Sequence, residues 1–520
     1  MRPVVGIARW SILLLLGASA LQGDSLAERV RKAAVAGSFY PGDREKLEAA
    51  VRAFLASARH VTGARPAALV APHAGYVYSG QIAADAYRHV QDHTYDLVVV
   101  LGTNHTRAEF RGVSFYRGDA YETPLGRVPL DRELTDRLIA ADSAFSFHPA
   151  VHEREHSVEV QLPFLQVVLP DVPIVAGVVG APDLTLARRL AERLAELGRE
   201  RRILVVASSD LSHYPPYRTA REVDLHTLRL VSRGDALGLA AFFQGPAVRV
   251  NGLATAACGA GPILTVLEYA RLLGTVKGAL VSYANSGDTI LGDDRQVVGY
   301  GAVLFVPRAA EVAEPEEIPA ERGRELEDPE KLERADLSRL VAFARRTLQQ
   351  FLDSETLPLP RGGSARVHQA AGVFVTLRKA GQLRGCVGRM RGDRPLLAAV
   401  GRAALAAATE DPRFPPVRRD ELADIRIEVS VLTPLRRVAG AEEIVSGRDG
   451  VYLVKGDRSA TLLPEVWEEF HLDKETFLDL LCRKAGLGGD CWRSGAELFT
   501  YQAVVADEGA LAAEEAENRP

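Results

Sequence analysis

The sequence predicts a mixed-sheet α/β domain over residues 31–306, followed by a smaller α+β domain over 337–506. Three observations carry this reading. Apolar, β-branched runs of strand length alternate with helical periodicity through the first stretch, the pattern of a sheet with helices packed on it. Residues 307–336 are dense in Glu, Pro and Arg with almost no large apolar side chain, the composition of an acidic, solvated linker. Beyond it, strands and helices mix without regular alternation, as in α+β domains. The chain has 520 residues, 47% of them hydrophobic and 25% charged, which excludes wholesale disorder. A net charge of -5 argues against a dedicated nucleic-acid binder, which carries a basic stripe. The four cysteines are too few for a disulfide scaffold and contain no C-x-x-C pair for a structural zinc site.

In chain order, residues 1–23 read as an export signal. Arg2 and Arg9 supply positive charge, Trp10 to Leu16 an apolar run, and Ala18-Ser19-Ala20 a small-x-small cleavage site. Export would place the mature chain in the periplasm or outside; the alternative is an over-extended start and a cytoplasmic protein. The apolar run is far shorter than the ~20 residues that span a bilayer, so no integral membrane segment is expected in the mature chain. Strands are expected at 67–70, 97–101, 172–179, 203–207, 279–283 and 297–306, with helices at 184–197 and 262–273. In the second domain, 337–352 has the apolar spacing of an amphipathic helix, and 372–377 and 382–390 read as strands. A helix at 395–408, a turn at DPRFPPV, an alternating strand at IRIEVSVLTP and a helix ending near Gly486 complete it. The tail, 507–520, is Ala/Glu-rich and is expected to fray.

Chemistry concentrates just past the strands. The first run leads into APHAGYVYSG with His73, the second into GTNH with His105, and the fourth into SSDLSHY with Asp210 and His213. In open α/β sheets the ligand crevice lies at the carboxyl ends of the strands, so these side chains are expected along one edge. EHSVEVQLPFL adds Glu155, His156 and Glu159; Glu155 and Glu159 would share a face if the segment is helical. ACGAGP sets Cys258 just before a helix, where a thiol is biased toward the thiolate that ligates metals. Structural alternatives are buried histidines, an inert core cysteine, an Asp210–His213 hydrogen-bonded pair, and Glu155 as a helix cap.

AGSFYP, APHAGYVYSG, LGTNH, EHSVEVQLPFL, SSDLSH and the ACG around Cys258 occur in the order seen in the Memo family, which this stretch resembles over 31–306. The resemblance implies a fold similar to class III extradiol dioxygenases, with a non-haem iron site whose ligands match His73, His105 and Cys258. Asp210 and His213 match further pocket residues. Those dioxygenases close their site with two histidines and a carboxylate; a thiolate is softer and suits copper or zinc as well as iron. Catechol cleavage therefore does not follow. The expected activity is a metal-dependent, dioxygenase-like oxidoreductase acting on an unknown small molecule, with His213, Asp210 and Glu155 as catalytic candidates. The alternatives are a non-catalytic ligand- or peptide-binding scaffold and a zinc-dependent hydrolase.

FVTL, LRGCVGR, DPRFPPV, EVSVLTP, LLPEV and LCRKAGL resemble the AMMECR-like family. Its possible site is Arg384 beside Cys386, where an arginine could lower the thiol pKa; a tight turn with a buried cysteine is the alternative. Cys482 reads as core, Cys491 as structural. The two families occur together with a radical SAM protein in the AmmeMemoRadiSam system, and this chain looks like two of its components joined. The chain has no C-x₃-C-x₂-C cluster motif, so radical SAM activity would belong to a partner. Export conflicts with that cytosolic, oxygen-sensitive chemistry.

Overall fold

The structure, a computed structural model, describes residues 29–314 and 322–511. The export signal, residues 315–321 of the linker and the tail beyond 511 lie outside the described residues. Among the described residues, no helix is long and apolar enough to cross a membrane.

The first domain is built on an eight-stranded sheet. In chain order its strands are β1 (Ala68–Ala71), β2 (Leu97–Thr103), β3 (Val113–Phe115), β4 (Phe145–Ser146), β5 (Ile174–Val179), β6 (Ile203–Ser208), β7 (Val276–Asn285) and β8 (Gly299–Pro307). Their spatial order is β7-β8-β1-β6-β2-β5-β3-β4. The central four, β1-β6-β2-β5, are parallel, whereas β8 joins β1 and β3 joins β5 antiparallel, giving the mixed sheet expected. The central strands are apolar on both faces because helices cover both. Leu69, Val98, Val100, Leu204 and Val206 face one core with α1 (Arg44–Ala56) and α2 (Tyr76–Tyr87). Val70, Val99, Leu101, Val205 and Ala207 face the other, with α3 (Leu184–Glu200), α4 (Tyr217–Arg233) and α5 (Ala260–Leu273). Asp43 and Asp183 cap α1 and α3 by accepting from backbone amides three residues on.

The second domain opens with α6 (Arg334–Ser354) and contains two four-stranded antiparallel sheets. The first consists of β9 (Gly372–Lys379), β10 (Gln382–Arg389), β11 (Ile425–Leu432) and β16 (Ala503–Asp507), in the order β10-β9-β11-β16. The second has β12 (Arg436–Val438), β13 (Gly450–Lys455), β14 (Arg458–Leu462) and β15 (Glu497–Tyr501), in the order β12-β15-β13-β14. Val373, Val375, Leu377, Ile427, Val429 and Val431 form the apolar face of the first sheet and pack on α6 and α7 (Leu396–Thr409). The opposite face is polar: Thr376 pairs in register with Cys386 on one side and Glu428 on the other.

Three expectations need correction. The linker is not solvated along its whole length, because Leu326 and Leu332 are buried in the second domain's core and the Arg322 side chain is buried against Asp288. The tail is tied down at its start, where Glu508 pairs with Arg345. Cys482 is not an isolated core residue: it forms a disulfide with Cys491, joining α8 (Lys474–Lys484) to the turn nine residues on.

Candidate metal centre

The parallel strands deliver the site. His73 follows β1 by two residues, His105 follows β2 by two and Asp210 follows β6 by two, so the first three candidates meet at the carboxyl edge of the sheet. Cys258 arrives from the other direction, on the turn into α5. Its sulfur lies 3.2 Å from His73 Nε2. Donor bonds of about 2.0–2.3 Å at a tetrahedral angle separate two ligand atoms by roughly 3.5 Å, so this spacing fits two donors on one ion. The His73 and His105 rings meet edge to face with centroids 5.2 Å apart.

The groups whose ligand atoms all lie within 4.8 Å of one another are His73–His105–His156 and His73–Asp210–Cys258. His73 is therefore the pivot, and the expected set of His73, His105 and Cys258 spans both groups. His156 was not singled out as a ligand from sequence. It stacks on His105 at 4.5 Å, and its proximity to Glu155 in the EHS triplet was the available signal.

Hydrogen bonding decides which ring nitrogens are free. Ser208 Oγ donates its one proton to Ser157 O (2.6 Å) and accepts from Gln161 Nε2 (2.7 Å). His73 Nδ1, 2.9 Å from that oxygen, must therefore be the donor, leaving Nε2 with its lone pair toward Cys258. Glu155 accepts from His105 Nδ1 (2.9 Å) and from the amides of His105, His156 and Ser157. Burial would raise this carboxyl, but the hydrogen bond and charge of His105 and the charge of His156 hold it down to about 2. It is thus an acceptor only, so His105 Nδ1 is the donor and Nε2 is the ring nitrogen left to face a ligand. A ring whose far nitrogen is pinned in this way is the arrangement that orients metal-binding imidazoles. Burial, then the neighbouring imidazoles, keeps His73 well below the usual histidine range. His156 is pushed down to about 4, again first by burial.

Several sequence expectations change. Residues 155–161 are not one helix: Glu155 precedes a short 3₁₀ turn, Glu159–Gln161. The two glutamates do separate work. Glu155 faces His105, with its side chain about 1% exposed, and is a positioning group for that ring. Glu159 binds the segment 31–40, which runs into AGSFYP, through the amides of Ala34 and Val35, the Tyr40 hydroxyl and the Arg31 guanidinium. Asp210 does not hydrogen-bond His213: its Oδ1 accepts from the amides of His73 and Ala74, while His213 Nδ1 donates to Leu211 O. Burial raises the Asp210 carboxyl, and the charge of His213 offsets part of that. Finally, the Cys258 thiol is not biased toward thiolate by its helix; burial, then the Asp210 carboxylate, pushes its pKa up.

Residues 31–304 match the family described as Memo-like protein, and residues 341–506 match AMMECR1. The chain belongs to the Memo-like family. A MEMO1 family protein of Aquifex aeolicus is 39% identical over 279 residues, covering 54% of this chain and 100% of the relative. One from Methanopyrus kandleri is 35% identical over 293 residues, covering 53% and 98%. The crystal structure of an uncharacterised protein from Pyrococcus horikoshii is 37% identical, covers 32% of this chain and 88% of its own, and has a TM-score of 0.31. The Memo-like match ends near the end of β8, so the whole His/Cys/Asp cluster falls within it.

In the AMMECR1 domain, Arg384 turns away from Cys386 and pairs with Glu421 at 2.6 Å, which Lys379 also joins. The Cys386 thiol is raised by burial, so Arg384 does not activate it. The cations that act on the thiol are Arg413 and Lys484, and Asp411 receives the Cys386 amide while holding Arg413. Sequence reasoning missed these because they come from other segments: Asp411 and Arg413 from the DPRFPPV turn, Lys484 from α8.

Proposed function

We propose that the Memo-like domain is a metal-dependent, dioxygenase-like oxidoreductase acting on a small organic molecule, with iron as the ion and copper or zinc as alternatives. The observation that supports it most is the pair of pinned imidazoles: His73 and His105 each spend Nδ1 on a fixed acceptor, which leaves Nε2 as the ligand atom, and His73 Nε2 lies beside the Cys258 sulfur. The residues fit such an ion in chemistry, since two imidazoles and a thiolate form a donor set for first-row metals, and His73 and Cys258 have the spacing of two donors on one ion. Once bound, the ion would supply Lewis-acid and redox chemistry. His73, His105 and Cys258 would hold it, and Asp210 and His156 are the neighbours best placed to complete or tune the set. The thiol that burial keeps protonated would lose its proton on metal binding. His213 is half-buried with Nδ1–H spent on Leu211 O, so its Nε2 is available to take or return a substrate proton. Glu155 holds His105.

The test is elemental analysis of protein purified anaerobically, joined to oxygen uptake by the iron-loaded protein. One iron per chain, lost in His73→Ala and Cys258→Ala, supports the reading. Native zinc without redox activity would favour the hydrolase, for which the cysteine donor is the observation in favour. Metal-free protein that binds ligand normally would favour the scaffold.

We infer export as well, because a disulfide persists in oxidising compartments and Cys482–Cys491 is one. Mapping the mature N-terminus tests this. An intact Met1 would return the chain to the cytoplasm, where a radical SAM partner could act with it.

A further inference from the structure

One loop of the first domain has its tip in the second domain and its foot beside His213. Residues 286–298 join β7 to β8. At the tip, Ile290 is 1% exposed inside the second domain's core, and its carbonyl accepts from Arg394 at 3.0 Å. Behind the tip, Arg322 donates to Gly287 O at 2.8 Å and pairs with Asp288 and Asp294.

The foot of the loop grips the segment that carries His213. Leu211 N–H donates to Gly299 O (2.8 Å), and Gly299 N–H to Ser212 O (2.9 Å). Tyr214 N–H donates to Val297 O (2.7 Å), and Val297 N–H to Pro215 O (3.0 Å). Tyr217 gives its amide to Asp294 O and its hydroxyl to Asp288, both at 2.9 Å. Val297 is fully buried against Tyr217 and Ala220. His213 stands in the middle of this stretch, bridged to Val298 on one side and to Thr255 on the other. The loop is therefore one of two walls that set where its ring lies.

This segment depends on those walls. Residues 209–216 belong to no helix or strand. Tyr214 has a φ of +69°, a left-handed conformation that a residue with a Cβ keeps only when its surroundings over-determine it. Its side chain is 53% exposed, so the hold comes through its backbone. The loop, in turn, is packed on itself. Ser286 N–H donates to Val298 O at 2.9 Å and Val298 N–H to Ser286 Oγ at 3.1 Å, which closes its base. Gly292 passes so near Ser286 O that a Cβ would not fit between them. A loop closed on its own backbone moves as a body when one end is released.

We propose that the AMMECR1 domain positions His213 at the candidate metal centre, by holding the 286–298 loop at Ile290 and through Arg394. This rests on the reading of His213 as the proton-transfer group. Ile290 and Arg394 are positioning residues that act through the loop.

The experiment is hydrogen exchange read by mass spectrometry on the metal-free full chain, well below its unfolding temperature. In Ile290→Ala the peptide spanning 209–217 should exchange about tenfold faster than in the parent, while the peptide spanning 97–107, which carries His105, keeps the parent rate. Arg394→Gln leaves the Ile290 side chain in place and should shift the 209–217 peptide the same way by less. Ile290→Val, which retains a branched side chain, should recover most of the protection. Parent-rate exchange of 209–217 in both Ile290→Ala and Arg394→Gln would overturn the proposal. So would equal acceleration of 97–107, which would make the effect a general loosening of the first domain. Because no metal is present, the exchange result stands apart from iron content and oxygen uptake, whose failure would strike the oxidoreductase reading alone.

Discussion

Glu155→Gln separates holding a ring from donating to a metal. The glutamine keeps the shape but offers an N–H₂ group where the carboxylate receives four N–H donors. His105 loses its fixed acceptor, and metal affinity should fall about 10–100-fold while folding is retained. Competition against a chromophoric chelator reads this directly; unchanged affinity would mean that His105 is not a ligand. A second residue-scale test concerns pH. Asp224 is fully buried, accepting from the Ser212 amide at 2.8 Å and the Tyr283 hydroxyl at 3.0 Å, and burial raises its carboxyl to about 7. The native state therefore keeps a proton that the unfolded chain releases near 4, so stability falls as pH rises from about 4 to 7 and is level above. Asp224→Asn cannot ionise and should gain on the parent across that window, by on the order of 4 kcal/mol. Urea unfolding at pH 5 and pH 8 measures the gain, and an equal difference at both would refute it. The candidate ligands were legible at this scale because a histidine just past a buried strand has few places to be. Glu155's partner was not, because His105 lies fifty residues away and only the folded loops bring them together.

Strands and helices were legible where the pattern was long and apolar. The expected strand at 97–101 runs on to Thr103, and the helix expected at 184–197 runs on to Glu200. Residues 155–161 misled because i, i+4 spacing says nothing when the local backbone is a turn. The reason for that turn can be tested at the end of β2. A Cβ on Gly102 would sit 2.4 Å from Ser157 Oγ and 2.8 Å from Val158 Cγ2. Ser157 Oγ accepts from the Thr103 amide and donates to Thr103 O, so this contact fixes the loop that carries His105 against the one that carries Glu155. Gly102→Ala should cost roughly 1–3 kcal/mol by overpacking. It should also weaken metal binding, since it moves a ligand and its acceptor apart. A lowered melting temperature with normal metal content would show that the two loops adjust together.

For the whole molecule, the composition shift marked the joint but hid how firmly the domains are fastened. A linker rich in Glu, Pro and Arg reads as a spacer, yet Arg322 stacks on Tyr217 with its guanidinium carbon 3.7 Å from the ring centroid and pairs with Asp288 and Asp294. The deeper fastening is apolar. Ile290 belongs to the loop between β7 and β8 but is 1% exposed inside the second domain's core. A Cβ on Gly401 of α7 would sit 2.8 Å from its Cδ1. Arg394 donates to Ile290 O at 3.0 Å, so the intruding backbone is also satisfied. A side chain from one domain that completes the core of the other couples their unfolding, and the intact chain should melt in a single calorimetric transition. Ile290→Ala empties that position and should cost about 2–5 kcal/mol, the range for large-to-small changes in a core. Because the lost contacts lie across the joint, the cost should show as a split into two transitions, the AMMECR1 domain melting first. Leu237→Ala is the control, being 65% exposed on the first domain, and should leave the single peak in place. One unsplit transition for Ile290→Ala at the parent temperature would mean that the domains are held by their ion pairs instead.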